Sequence, residues 1–378
     1  MTTTAPSSTV LSGVTALGGG EDFSCGLRSD ATISCWGSSG FGTLGPAVGN
    51  GVMIPPTTIT GVTDVRSFSA GAEHVCAVRR AGTVTCWGLT GPGVTIPNPV
   101  PADVAGLTEV VQVAAGNQFT CALRADHTVA CWGSNHYGQL GNTTNIGTDV
   151  NNPIPATVTG VSTAVAVAAG GRFACAILAD TTVSCWGSNT GGELGSRTNN
   201  RTADGVPTPA VIPGLSGVSA LALGSMPYSD NEGGNACALL SAGTVTCWGD
   251  NYFGQLGNSK NTSSFAPNPV PKAVAGVTGV VAVSAGTTTS CALQSSGSIV
   301  CWGDGNSGEM GSTNDGTPRQ DVVNPYMSGV LGIMSGWTHM CGLLAGGAVS
   351  CWGFDRDGQS GYAPTRTQLP MPMPRVIW

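Results

Sequence analysis

Nine residues separate two cysteines, and Trp-Gly follows the second, seven times along this chain of 378 residues. The pairs are Cys25 with Cys35, Cys76 with Cys86, Cys121 with Cys131, Cys175 with Cys185, Cys237 with Cys247, Cys291 with Cys301 and Cys341 with Cys351, and they account for all 14 cysteines. First cysteines follow one another at 51, 45, 54, 62, 54 and 50 residues, a period in the range of propeller blades. A fixed repeat overrides the two or three domains that this length would otherwise suggest. The 58 glycines and 23 prolines, with Val and Thr in alternation, leave no amphipathic run of three helical turns. The expected fold is all-β: one seven-bladed β-propeller of four-stranded blades over residues 10–378, behind a flexible tail at 1–9.

The third repeat shows how a blade is written. Val100 to Leu107 reads as a proline-flanked outer strand, and Val110 to Gly116 as a second, apolar one. Cys121-Ala-Leu and Thr128 to Trp132 then form a tight hairpin about Asp126. Strand alternation puts Phe119, Cys121, Leu123, Val129 and Cys131 on one face, and Ala122, Ala130 and Trp132 on the other. Both faces are apolar, as expected of a sheet sandwiched between two neighbours in a ring. The outer-strand pattern recurs after the last hairpin, from Pro370 to Trp378, so this segment is expected to pair with strands around Val10 to Leu17 and seal the ring.

Two repeats depart from the pattern. The second ends Cys-Trp-Gly-Leu-Thr-Gly-Pro-Gly and lacks the Gly-Gln-Leu-Gly tail. In the fifth, the glycine before the first cysteine lies 13 residues upstream (Gly224 to Cys237) where the other six repeats have five, an insertion of eight residues that includes Tyr228, Asp230, Asn231 and Glu232. Inserted loops on a rigid ring are where binding specificity usually lives.

Val-x-x-Gly-x-x-His/Phe-x-Cys-Ala-Leu followed by Gly-Thr-Val-x-Cys-Trp-Gly-x-Asn-x-Tyr-Gly-Gln-Leu-Gly resembles the regulator-of-chromosome-condensation repeat over about residues 10 to 378. The match is most specific at Gly71/His74, Asn135/Gly138/Gln139/Leu140/Gly141, Asn251/Gly254/Gln255/Leu256/Gly257 and Gly336/His339. The resemblance implies a seven-bladed propeller. It also implies a choice of roles: nucleotide exchange on a small GTPase with docking on chromatin, protein inhibition by a secreted bacterial member, or receptor, ubiquitin-ligase and toxin modules. The acidic balance, the lack of a basic tail and the cysteine pair in every repeat set this chain apart from the namesake. In style it is more similar to bacterial secreted or surface members.

Composition narrows the partners. The chain has 14 basic and 21 acidic residues, and its two lysines, Lys260 and Lys272, read as isolated, so nucleic acid is not an expected partner. No apolar run approaches the length of a membrane helix. The N-terminus has neither the basic region nor the apolar core of a signal peptide, which leaves a cytosolic protein or a processed mature form. Regular cysteine pairs favour the second, since opposed residues of a hairpin can be bridged in an oxidising compartment. Buried free thiols are the alternative, and zinc lacks the finger spacing.

The tryptophans at 36, 87, 132, 186, 248, 302 and 352 recur once per blade and read as packing between blades. His74 and His339 share a slot with Phe23, Phe119 and Phe173, which points to core filling. Carboxylates are scattered singly, no nucleophile with its base can be assembled, and no phosphate-binding loop is present, so no enzyme and no cofactor are expected.

The resulting expectation is a monomeric, non-enzymatic scaffold, extracellular or on the cell surface, that presents inter-blade loops to a protein partner. Tyr228, Asp230, Asn231, Glu232 and Tyr252 are the contact candidates, with the loops at 142–152, 196–206 and 258–266. The alternatives are a cytoplasmic exchange factor or regulator of a small GTPase, with reduced thiols, and a glycan-binding propeller with exposed tryptophans. Closure by the C-terminal segment has a direct test. Deleting residues 369–378 should lower the melting temperature sharply, and an unchanged value would refute that form of closure.

Overall fold

The computed structural model describes residues 11–38, 40–46, 53–91, 98–197, 204–224, 233–305, 308–310, 319–323, 327–354, 357–359 and 361. Within them, strands make seven antiparallel sheets in chain order, six of four strands and one with three described strands; a three-residue 3-10 turn at Ala345–Gly347 is the one helical piece among them. The third blade runs outward from Val110–Ala115 through Phe119–Arg124 and Val129–Gly133 to Asn152–Thr157.

The blade frame is offset from the frame read in the sequence. The proline-flanked strand before each hairpin belongs to the blade before: Asn98–Asp103 pairs with Val84–Gly88 of the second blade. Antiparallel pairing dictates this. After the third strand the chain is at the edge of its own sheet, and the next strand pairs there before crossing to the following blade. Prolines 99, 153, 207 and 269 thus all sit on outermost strands, where a missing N–H costs no ladder bond.

Each cysteine stands opposite its partner in the hairpin register, and all seven pairs are disulfides. Cys25 is bonded to Cys35, Cys76 to Cys86, Cys121 to Cys131, Cys175 to Cys185, Cys237 to Cys247, Cys291 to Cys301 and Cys341 to Cys351, with Cα atoms 4.0 to 4.1 Å apart. The spacing is that of the narrow, non-hydrogen-bonded antiparallel pair. Among the described residues no cysteine is free, so the alternative of buried thiols does not hold here. Cys35, Cys185, Cys301 and Cys351 are 0 to 3% exposed, like their partners inside the sheets. The bridges are therefore staples of the core and offer a partner no reactive sulfur.

The two hairpin faces separate as expected. Phe119, Cys121, Leu123, Val129 and Cys131 pack against Ala174, Ala176 and Trp186 of the next blade, while Ala122, Ala130 and Trp132 pack on Cys76, Val78 and Cys86 of the one before. The small alanines leave room for the neighbouring indole, which packs against the larger apolar face of the blade before it.

The motif tryptophans are buried, at 0 to 4% exposure. A buried indole N–H needs an acceptor, and six of them find one in the tail of the preceding blade. Trp186 donates to the carbonyl of Gln139, Trp248 to Glu193, Trp302 to Gln255, Trp352 to Glu309, Trp87 to Thr43, and Trp36 to Gln359, at 2.7 to 3.1 Å. Trp132 follows the blade without the tail motif and meets no acceptor among the described residues.

At the axis, the glycine that ends each inner strand is fixed by its neighbour. A Cβ on Gly20 would lie under 3.0 Å from the carbonyl oxygen of Gly71, and the relation repeats through Gly116, Gly170, Gly224, Gly286 and Gly336 back to Gly20. No other residue type lets the blades approach this closely. The last step of that cycle joins blades seven and one, and Trp337 N–H donates to the Gly20 carbonyl there at 3.1 Å. Val14–Gly19 is the inner strand of blade one, paired with Phe23–Arg28. The segment 369–378, expected to pair with this region, and the expected tail at 1–9 both lie outside the described residues.

The slot shared by histidine and phenylalanine is a core position. His74 and His339 are fully buried, and burial pulls their pKa down to about 4 and about 3. Each meets a hydroxyl on the next blade, Thr120 for His74 and Ser24 for His339, at 2.8 Å. Asn235 likewise reaches Ser290 at 3.3 Å. Where the slot holds Phe23, Phe119 or Phe173, the next blade offers Val75, Ala174 or Ala236 instead. Each polar slot residue thus has one partner across the seam, while Nδ1 of both histidines and Oδ1 of Asn235 are buried with none.

Removing one staple should be felt. Cys121→Ala/Cys131→Ala is expected to cost roughly 2–3 kcal/mol in urea unfolding by loop closure. A variant as stable as the parent would show that this bridge does not constrain the unfolded chain.

Candidate partner-binding face

Strand direction divides the loops between two faces. The short turns within the Cys–Cys hairpins, such as Ala125 to His127, leave from one face. The tails after Trp-Gly and the links between first and second strands leave from the other. That second face therefore carries the loops 142–152, 196–206 and 258–266, and Gly224 and Gly233, which flank the inserted segment. Tyr228, Asp230, Asn231 and Glu232 lie outside the described residues, and so does 198–203 of the second loop. Of the five contact candidates, Tyr252 is placed.

The tails of blades three, four and five are held by one asparagine each. Asn135 accepts from Leu140 N–H at 2.9 Å and donates to the Asn142 and Thr144 carbonyls at 3.0 and 2.6 Å. Asn251 repeats the pattern with Leu256 at 2.8 Å and the carbonyls of Asn258 and Lys260 at 2.9 and 2.7 Å. Asn189 does so with Leu194 and Ser196, at 2.9 and 3.1 Å. All three are completely buried, so the start of each long loop is fixed from beneath.

Two aromatic groups stand on this scaffold. Tyr252 is half-buried, stacked on Phe265 with ring centroids 4.6 Å apart and edge-on to Phe253 at 4.9 Å. Phe265 is 46% exposed, a large apolar surface on an otherwise polar loop. Between blades three and four, the Arg172 guanidinium lies 4.7 Å over the Tyr137 ring. These two residues, with Gln118, His136 and Asp149, line a polar pocket of about 300 Å³.

Three groupings escaped sequence reading. Carboxylates that look scattered come together where the ring closes: burial first, then Asp22, Glu73 and Asp357, raise Glu21 to about 8, and burial also raises Glu73. Lys260 and Lys272 do form a patch, since with Arg197 they line one pocket, against the expectation that they stand alone.

Glu193 is the third. It occupies the place of Gln139 and Gln255 in the tail motif, is fully buried, and is raised by that burial to about 7. Ser188 Oγ–H and Gly191 N–H donate to its carboxylate at 2.9 and 2.7 Å. In blade five the polarity is reversed, with Gln255 Nε2–H donating to Asp250 at 2.7 Å. Among the described residues, no three His, Cys, Asp or Glu gather as metal ligands, and no helix is long and apolar enough to cross a membrane.

Segments of the chain match models of the regulator-of-chromosome-condensation (RCC1) repeat at 65–90, 110–139, 164–193 and 280–309, and at 126–177 and 242–293. Human E3 ubiquitin-protein ligase HERC2 is 32% identical over 167 residues, 42% of this chain but 3% of HERC2, so this chain spans a small fraction of that relative. The mitochondrial RCC1 domain-containing protein RUG3 of Arabidopsis thaliana is 26% identical over 76% of this chain and 65% of its own length. Among solved structures, human WBSCR16 superposes with a TM-score of 0.74 at 18% identity, over 92% of this chain and 94% of its own. Prp20p of Saccharomyces cerevisiae, described with its binding to Gsp1p and histones, gives 0.71 at 20% over 96% and 86%. At such identities the likeness is one of fold. These relatives are eukaryotic and give no support to a bacterial, secreted style.

The Glu193 carboxyl makes a pH-dependent prediction. A folded pKa of about 7 against an ordinary 4.5 means stability present at low pH that is lost as pH rises through 7. Glu193→Gln removes that loss. Its stability relative to the parent should therefore rise by about 1–3 kcal/mol between pH 5 and pH 8 in urea unfolding. A difference that does not vary with pH would mean that the carboxyl is not held protonated by burial.

Proposed function

We propose that this chain, a seven-bladed ring of regulator-of-chromosome-condensation repeats, is a non-enzymatic platform that binds another protein through its loop-bearing face, outside the cell or at its surface. The observation that carries the reading is the unequal division of the two faces. One bears short hairpin turns; the other bears long loops tied down by buried asparagines and topped by Tyr252 and Phe265. Loops fixed before binding lose little entropy on association, and partly exposed aromatic rings are the usual anchors of such contacts. The inserted segment with Tyr228, Asp230, Asn231 and Glu232 belongs to the same proposed surface, between anchors that leave from that face.

The compartment is read from the seven disulfides, which persist in oxidising surroundings. They favour the platform over a cytoplasmic regulator of a small GTPase, which would keep its thiols reduced. A glycan site built from the repeated tryptophans has no support, because all seven are buried between blades.

Crosslinking capture from intact cells and their medium tests the face, run beside an intact-mass thiol count on protein alkylated at lysis. The expected outcome is a partner lost at least about tenfold with Tyr252→Ala/Phe265→Ala at unchanged melting temperature, from protein that gains two hydrogens per bridge on reduction. A partner held equally by the double variant would remove the aromatic group from the surface. Fully reduced native protein would return the reading to the intracellular regulator.

A further inference from the structure

The chain has two lysines, and both line one pocket of about 250 Å³ at the outer rim of the seam between blades four and five. Arg197, from the tail of blade four, is the third cation there. All three side chains are exposed, and among the described residues none has a carboxylate within ion-pair distance. In a protein of net charge −7 the pocket is thus a local reversal of sign.

Comparison between blades shows that the charge is added to the repeat rather than required by it. Lys260 gives its carbonyl to the buried Asn251, and the residue doing the same for Asn135 is Thr144. Lys272 stands opposite Cys247 in the strand register. The corresponding outer-strand residues are Thr57, Ala102, Ala156, Ala210 and Val322. Neither position needs a cation for folding, yet blade five has one at both.

The rest of the lining is mainly apolar, with Asn258 and Asn268 as its uncharged polar members. Leu256, Pro269 and Val270 form its wall, and Lys260 N–H donates to Asn258 Oδ1 at 3.0 Å, which holds the loop that carries the lysine. Pro269 is wedged against Gly192 of the preceding blade, where a Cβ would come within 2.9 Å of its nitrogen. Three cations over an apolar wall suit a chain that alternates carboxylates with aliphatic side chains.

We propose that this pocket takes an acidic peptide segment of the partner protein, its carboxylates paired with Arg197, Lys260 and Lys272 and its aliphatic side chains on the wall. The inference rests on the platform reading and names the chemistry of one contact within it. A short fluorescein-labelled peptide of alternating glutamate and valine is the probe, with an alternating lysine and valine peptide as control, followed by anisotropy on the intact ring.

Saturable, salt-sensitive binding of the acidic peptide is expected, weakened at least about tenfold by Lys260→Glu/Lys272→Glu at unchanged melting temperature. No saturable rise, or equal binding by the variant, would overturn the proposal. Displacement of the peptide by a heparin fragment at lower concentration than by unlabelled peptide would overturn it in favour of a sulfated glycan. The two readings fail separately. A captured partner lost with Tyr252→Ala/Phe265→Ala but kept by the lysine variant removes the pocket and leaves the platform. Peptide binding that persists while no partner is captured from the cell surface removes the extracellular platform and leaves an acidic-peptide site.

Discussion

A single hydrogen bond type, the indole N–H of one blade to a tail carbonyl of the blade before, ties the interior of this ring to its binding face. The tryptophan is buried because the next sheet covers it, and a buried indole must find an acceptor. Only a tail loop that turns back over the seam can supply one. Fixing that carbonyl fixes the Gln-Leu-Gly turn around it, and the buried asparagine four residues earlier then fixes the loop beyond. Loop order is thus a by-product of core packing. It also explains why blade two, whose tail lacks the motif, leaves Trp132 as the exception among the seven.

Much of this was legible in the chain. The Cys–Cys register, from Cys25 with Cys35 to Cys341 with Cys351, follows from strand alternation at fixed spacing. So do the two apolar faces and the recurring glycine at the axis, and spacing survives in sequence. Membership of a strand in a blade does not. Asn98–Asp103 precedes its repeat's hairpin but pairs backward, because pairing depends on which edge is free when the chain arrives. Charge groupings were hidden for a related reason. Glu21 and Asp357 are brought near each other by closure of the ring, and Arg197 reaches Lys260 across a seam. The matched polar slot was readable and overlooked: His74 with Thr120 and His339 with Ser24 stand one blade apart at adjacent repeat positions, beside Phe partners that are always apolar.

Repetition also explains where the chain is free to differ. Positions that face a neighbouring blade answer to two sheets at once, so a change from Phe to His at the slot needs a hydroxyl in the next repeat. Outer-strand and loop positions answer to solvent on one side. Lys272 can stand where other blades have Ala, Thr or Val because it lies on the outermost strand of its sheet with its side chain exposed. Function in a ring of this kind is therefore expected at the rim and on the loop face, where Tyr252 with Phe265 and both lysines stand.

The disulfides answer a cost that the same architecture creates. Hub and tail positions demand glycine, and the chain carries 58 of them. Each gives up more conformational freedom on folding than another residue would, about 0.5–1 kcal/mol relative to alanine within regular structure. The seams return apolar burial of one tryptophan with Val, Leu, Ile, Ala and Cys around it, and Phe in three of them. A hairpin bridge such as Cys175 to Cys185 or Cys291 to Cys301 acts on the other side of the equilibrium, shrinking the unfolded ensemble without adding bulk to a core that has no space for it. Blades can then stay thin enough to meet at the axis, and the tight hub that requires glycine is compatible with a stable ring.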